Sequence, residues 1–121
     1  MENVSNVVKL QSIKSLQSTI HKLENALSKM TQTGANTSLV KKRLRAIYIG
    51  LAVLEHFWNQ RPNHYPQEDL ADARYVITGL FPSIKNSYTK SKDGSPQRTL
   101  LERRIKSLEL AVQAIDDLFT K

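Results

Sequence analysis

The chain has 121 residues and carries 18 Lys and Arg against 11 Asp and Glu, a formal net charge of +7. It contains no cysteine, which excludes disulfides, thiolate metal sites and cysteine nucleophiles. This length suits one folded unit, and we treat residues 1–121 as a single helical domain. The surplus of positive charge favours an anionic partner but does not determine the fold.

The first predicted helix covers about residues 4–32. Its apolar residues recur at spacings of three and four, which is typical of one buried helical face. Glycine commonly follows the last turn of a helix, so Gly34 indicates its end. The apolar stripe consists of Ile13, Leu16, Ile20, Leu23, Leu27 and Met30.

The second predicted helix covers about residues 37–60. It carries Ile49 and Val53 in addition to its stripe, so we expect it to be the most enclosed helix. Gly50 inside a helix costs about 1 kcal/mol relative to alanine, and this indicates close approach of a neighbouring helix. The stripe consists of Val40, Leu44, Ile47, Leu51, Leu54 and Trp58.

The longest apolar stretch of the chain runs from Ala46 to Leu54. It is less than half of the roughly 20 residues that a membrane-spanning helix needs. The N-terminus also lacks the basic and apolar regions of a signal peptide. We therefore expect no membrane insertion and a cytoplasmic location.

The third predicted helix covers about residues 66–90. Pro66 suits its first position, because a proline there loses no helical hydrogen bond. Gly79 and Pro82 interrupt the stripe, and a proline inside a helix removes a backbone bond and crowds the preceding turn. We therefore predict a kink near residues 78–82. The stripe consists of Leu70, Ala73, Ile77, Leu80, Ile84 and Tyr88.

The fourth predicted helix covers about residues 96–120. Ser95 followed by Pro96 is typical of a capping residue and a proline at the first helical position. The stripe again shows spacings of four and three, as expected for one apolar face. It consists of Leu101, Ile105, Leu108, Val112, Ile115 and Phe119.

Four helical segments with short connections, and no stretch of alternating polarity, predict an all-α fold. The simplest packing is an antiparallel up-down-up-down four-helix bundle whose third helix is kinked near Pro82. The alternative is an open pair of helical hairpins that completes its core as a homodimer. Both arrangements agree with the apolar stripes.

Positive charge is concentrated in residues 29–45 and 85–106, which hold twelve basic and two acidic residues. These two windows carry a net +10, and the rest of the chain carries −3. An up-down-up-down bundle would bring both windows to one pole. The candidate anion-binding or partner-binding residues are Lys41, Lys42, Arg43, Arg45, Lys90, Lys92, Arg98, Arg103, Arg104 and Lys106.

The predicted pole combines clustered cations with two helix N-termini, where free amides also favour anions. The leading hypothesis is a non-enzymatic binding or regulatory module that docks an acidic protein partner there. The alternative is a nucleic-acid-associated protein that contacts phosphates non-specifically through the same residues. A solvated, charged end without a partner is the third interpretation of the same pattern.

A second candidate contact surface lies around the connection after the second helix. Aromatic residues and arginine dominate many binding interfaces, but aromatic residues at the end of a bundle also seal its core. Its residues are His56, Trp58, Arg61, His64 and Tyr65.

We expect no enzymatic activity, because the serines and carboxylates have no partner in the sequence that would activate them. The four glycines are also too far apart to form a phosphate-binding loop. No cofactor and no metal ion are expected. An enzyme built around His56 and His64, holding a metal with a nearby glutamate, is a distant alternative.

Overall fold

The computed structural model describes residues 3–120, and these residues form helices without any strand. Helix accounts for 81% of the structure, which confirms the all-α prediction. The helices are α1 (Asn6–Thr33), α2 (Ser38–Asn59), α3 (Gln67–Thr78), α4 (Phe81–Lys90) and α5 (Pro96–Phe119). α3 and α4 are the two parts of the predicted third helix.

The helix ends follow local capping chemistry. Gly34 adopts a left-handed conformation with φ of 75° and ends α1, as predicted. The Ser95 hydroxyl accepts a hydrogen bond of 3.1 Å from the Arg98 amide, and Pro96 opens α5. Pro66 is the N-cap residue of α3, which begins at Gln67, one position after the predicted start.

The predicted kink in the third helix is confirmed as a bend of 28° at residues 79–80. Pro82 lies in the first turn of α4 and has no N–H to donate to the carbonyl of Thr78, four residues before it. The ladder of helical hydrogen bonds is therefore interrupted at this point. The bend separates two helices where the sequence indicated one kinked helix.

Consecutive segments pack in pairs. Tyr48 of α2 donates a hydrogen bond of 2.6 Å to Glu24, and the ammonium of Lys9 lies 6.0 Å from the Trp58 ring centre. The later half of α1 therefore lies beside the first half of α2, and the start of α1 lies beside the end of α2.

α3 and α4 pack against α5 in a similar way. Arg74 of α3 forms an ion pair of 2.6 Å with Asp116, near the end of α5. The Arg98 guanidinium, near the start of α5, lies 4.1 Å from the Tyr88 ring centre near the end of α4.

The two pairs do not show the register of an aligned four-helix bundle. In such a bundle Asp69, in the first turn of α3, would lie beside the last turn of α2. Asp69 instead pairs with Arg45 in the first half of α2, at 3.0 Å. Residues 60–66 run back along α2, where Tyr65 shares a hollow with Lys41 and Leu44. The aligned up-down-up-down path is therefore not confirmed, because this connection displaces the start of α3.

The core is centred on α2 and α5, which contact each other and both contact α1 and α3. Ile47 and Leu54 of α2 are wholly buried, as are Leu108 and Ile115 of α5. α5 also contacts α4, so it is enclosed about as fully as α2. The expectation that the second helix is the most enclosed is therefore not confirmed, because α2 and α5 are buried to a similar degree.

Gly50 lies where three helices meet. A Cβ atom at this position would be 3.2 Å from the Cβ of Ala111 and 3.3 Å from the Cδ1 of Ile77. Both distances are shorter than ordinary van der Waals contact. The predicted close approach of a neighbouring helix at Gly50 is confirmed.

Within residues 3–120, no helix combines the length and the apolar content that crossing a membrane requires.

Candidate functional site

A groove of about 680 Å³ lies between the first half of α2 and the segment formed by α3 and the bend. Leu39 and Tyr75 stand on its walls with 56% and 81% of their surface exposed. Its apolar lining consists of the half-buried Val76 and Leu80 and of Ala46, Ile49 and Ala73, which are each only 2% exposed. We call this feature the α2–α3 groove. Exposed apolar side chains that line one groove together are candidates for contact with a partner.

The charged residues of the α2–α3 groove are of both signs. Arg45 and Asp69 neutralise each other through their 3.0 Å ion pair. Lys42 and Arg43 also line the groove, and neither side chain has an ion pair within residues 3–120. Asp72 contributes one carboxylate on the α3 side. Lys42 and Arg43 therefore make the α2 wall cationic.

A second hollow of about 490 Å³ lies on another face of α2, between Lys41 and Tyr65. Tyr48 lines it and donates its phenolic hydrogen to Glu24. This hydrogen bond is the main cause that raises the pKa of Tyr48 above its ordinary value of 10.0, and desolvation and the Glu24 charge act in the same direction. The phenol of Tyr48 is thus held in its neutral form.

The Tyr48 hydrogen bond predicts a stability change in alkaline solution. Folding raises the pKa of Tyr48. The hydrogen bond therefore stabilises the folded protein fully at pH values below the pKa of the unfolded chain, and this stabilisation is lost as pH rises through the pKa of the folded protein. We expect the free energy of unfolding to fall more steeply as pH rises above about 10 in the wild type than in Tyr48→Phe. Urea titrations across this range measure both slopes. Tyr75→Phe, which keeps Tyr48, should follow the wild type, and equal slopes in all three proteins contradict the prediction.

The predicted cations of the second window have different surroundings. Arg98 donates hydrogen bonds of 3.2 and 3.0 Å to the carbonyls of Tyr88 and Ser91, and its guanidinium lies 3.4 Å from Asp93. It therefore holds the end of α4 against the start of α5. Lys90 and Lys92 are exposed beside this contact.

Arg103 and Lys106 line a separate groove of about 440 Å³ between α5 and the start of α1. Glu102 and Glu109 line the same groove, so its charge is mixed. Arg104 follows Arg103 in the sequence and is half-buried. Burial lowers the pKa of its guanidinium, which stays protonated at neutral pH. Its Nε atom is buried without a hydrogen-bond partner in the described structure.

The structure thus places some cations of the two basic windows in different grooves. Lys42, Arg43 and Arg45 meet α3, whereas Arg103 and Lys106 meet the start of α1. These two grooves have no residue in common. A single pole that gathers all ten candidate residues stays a prediction.

The aromatic residues after α2 contact the core. Phe57, Trp58 and Tyr65 are half-buried and pack against it. The Nδ1 atom of His56 lies 2.8 Å from the carbonyl oxygen of Arg61, which holds the turn after α2. This packing agrees with the interpretation that the aromatic residues seal the core.

His64 and Arg61 remain exposed on the same connection. Arg61 lies 4.0 Å from Glu55, which is the limit of an ion pair. Nothing else in the described structure brings these two side chains into a common site. The second contact surface stays a prediction.

Two residues of the α2–α3 groove were missed by sequence reasoning. Leu39 and Tyr75 belong to neither predicted stripe, since the stripes of their helices contain Val40 and Ala73 instead. The signal that indicates them is a large apolar residue on the polar face of an amphipathic helix.

Residues 3–120 contain no group of three His, Asp or Glu side chains placed to hold a metal ion. Comparison with protein-family models, with curated proteins and with solved structures finds no significant match to this chain.

Proposed function

We propose that this protein is a non-enzymatic binding module that docks an acidic protein partner on the α2–α3 groove and its cationic wall. The observation that carries the proposal is the combination, in one groove, of exposed Leu39 and Tyr75 with Lys42 and Arg43, which form no ion pair among residues 3–120. A few residues supply most of the binding energy in protein interfaces, and tyrosine and arginine are enriched among them. Complementary charge adds specificity and speeds association.

The apolar lining favours a protein over a nucleic acid as the partner. A phosphate backbone gains affinity from cations and counterion release, and it gains little from apolar side chains. Leu39 and Tyr75 would stay exposed in such a complex. A protein partner would bury them, which contributes about 25 cal/mol for each Å² of apolar surface removed from water.

The contacts that the basic residues make within the chain favour the same site. Arg45 and Arg98 are engaged in contacts within the chain, so their charges hold the fold. Lys42 and Arg43 lie on one wall of a groove and are available to an acidic ligand. We therefore assign the main electrostatic contribution to Lys42 and Arg43, with Lys41 next to them in sequence.

A charge-reversal experiment tests the proposal. The wild type and Lys42→Glu/Arg43→Glu are used as baits in extracts of the native cell, and captured proteins are identified, purified and measured for affinity. We expect an acidic partner whose dissociation constant rises about tenfold or more in the variant and also rises with salt.

The matched control is Arg103→Glu/Lys106→Glu, which makes the same change in net charge away from the α2–α3 groove. This control should keep the partner. The proposal fails if Lys42→Glu/Arg43→Glu keeps every partner, or if both variants weaken binding equally. Binding of DNA or RNA with steep salt dependence, lost in Lys42→Glu/Arg43→Glu, would support the phosphate-contact alternative instead.

A further inference from the structure

We infer that the α2–α3 groove receives an amphipathic α-helix of the partner, with its apolar stripe in the groove and acidic residues beside the α2 wall. The inference rests on the proposed function and defines the chemistry of the partner segment. It is carried by the shape of the groove, by its apolar lining and by the position of its charges.

The walls of the groove have the geometry of helix-on-helix packing. Leu39, Lys42 and Ala46 follow each other on α2 at spacings of three and four residues. Ala73, Val76 and Leu80 do the same along α3 and the bend. Such rows form ridges, and the side chains of a third helix fit between two ridges. The groove therefore suits a row of side chains spaced as on a helix.

The apolar lining also favours a helical ligand, because the backbone N–H and C=O groups of the ligand need hydrogen-bond partners. An extended segment would bring its N–H and C=O groups against Leu39, Val76 and Leu80, whose side chains offer no hydrogen bonds. Residues 3–120 contain no strand whose edge could pair with such a segment. A helix satisfies its backbone groups internally and presents only side chains to the groove.

The charges of the two walls differ, and this difference defines the face of the bound helix. Lys42 and Arg43 on the α2 wall attract Asp and Glu. Asp72 on the α3 side repels them, and Asp69 is neutralised by Arg45. The acidic face of the partner helix is therefore expected to lie toward α2, with neutral residues toward Asp72.

Three synthetic peptides test this inference directly. Each has about 18 residues, roughly 27 Å as a helix. The first carries Leu at helical spacings of three and four with Glu on one flank. The second replaces Glu by Lys, and the third has the composition of the first in an order that abolishes the stripe. Fluorescence anisotropy of labelled peptides measures binding to the wild type, where we expect the first peptide to bind about tenfold or more tightly than the others.

Variants of the protein locate the bound peptide. Leu39→Ser/Tyr75→Ser should weaken the first peptide about tenfold or more, and folding is preserved because both side chains are mainly exposed. The control Val7→Ser/Leu10→Ser removes two apolar side chains of α1 with 63% and 62% exposure and should leave binding unchanged. Asp72→Lys should tighten the first peptide by removing a repulsive charge.

The outcomes separate this inference from the proposed function. If the first peptide does not bind, or if the shuffled peptide binds equally well, the groove does not select a helix and the inference is overturned. The same holds if Leu39→Ser/Tyr75→Ser has no effect. A natural partner that still depends on Lys42 and Arg43 would then leave the proposed function standing.

Discussion

Replacing Ile77 by alanine is expected to lower the free energy of unfolding by about 2–5 kcal/mol. Ile77 is wholly buried, and its Cδ1 atom reaches the point where Gly50 of α2 and Ala111 of α5 meet. The substitution leaves a cavity among three helices, which the surrounding structure fills only in part. Urea denaturation followed by circular dichroism measures the loss, with an unchanged dependence on urea concentration if only stability changes.

Gly50→Ala provides the second side of this test. The new methyl group gains about 1 kcal/mol of helix propensity but lies too close to Ile77 and Ala111 in the wild type. In the Ile77→Ala background one of these close contacts is removed. We therefore expect the double variant to be more stable than the sum of the two single effects predicts, by about 0.5 kcal/mol or more. Strict additivity would show that Ile77 does not limit the space at Gly50.

Helical periodicity accounts for the part of the fold that the sequence predicts. Leu16, Ile47, Leu54, Leu108 and Ile115 were assigned to apolar stripes, and all of them are wholly buried. Spacing along a helix is a local property, so it needs no knowledge of the neighbouring segments. The close approach at Gly50 and the bend before Pro82 were predicted for the same reason, since each follows from the stereochemistry of one residue.

The relative placement of the helices depends on contacts that no periodicity contains. The connection of residues 60–66 could have turned α3 directly back at the end of α2. Tyr65 instead packs against α2, and Asp69 meets Arg45. These contacts join residues far apart in sequence, and their stability depends on the shape of both surfaces. The predicted convergence of the two basic windows at one pole relied on the simpler path.

The sequence predicts the charged residues of the candidate site but does not indicate its exposed apolar residues. Lys42 and Arg43 were recognised because a cluster of cations is visible in the sequence alone. Arg98 belonged to the same set, but its geometry commits it to the carbonyls at the end of α4. Leu39 and Tyr75 become parts of one surface only when α2 and α3 form the two walls of the groove. A binding surface of this kind is a tertiary property.

The contact between α1 and α5 depends on small residues that the stripes also omit. Ser12, Ser15 and Ser107 are buried there, with a hydrogen bond of 3.3 Å between the hydroxyls of Ser15 and Ser107. Ser107 also donates a hydrogen bond of 2.8 Å to the carbonyl of Arg104, within its own helix. Small side chains let two helix backbones approach closely. We therefore expect Ser107→Leu to destabilise the protein by about 1–3 kcal/mol through overpacking.

Two further variants distinguish packing from the loss of a hydroxyl. Ser107→Ala keeps the small volume, and since the Arg104 carbonyl lies within a helical turn, we expect a cost of about 1 kcal/mol or less. Ser18→Leu adds the same leucine to an exposed position of α1 and should change stability by about 0.5 kcal/mol or less. Urea denaturation of all three variants measures the differences. If Ser107→Leu is as mild as Ser18→Leu, α1 does not pack closely on α5 at Ser107.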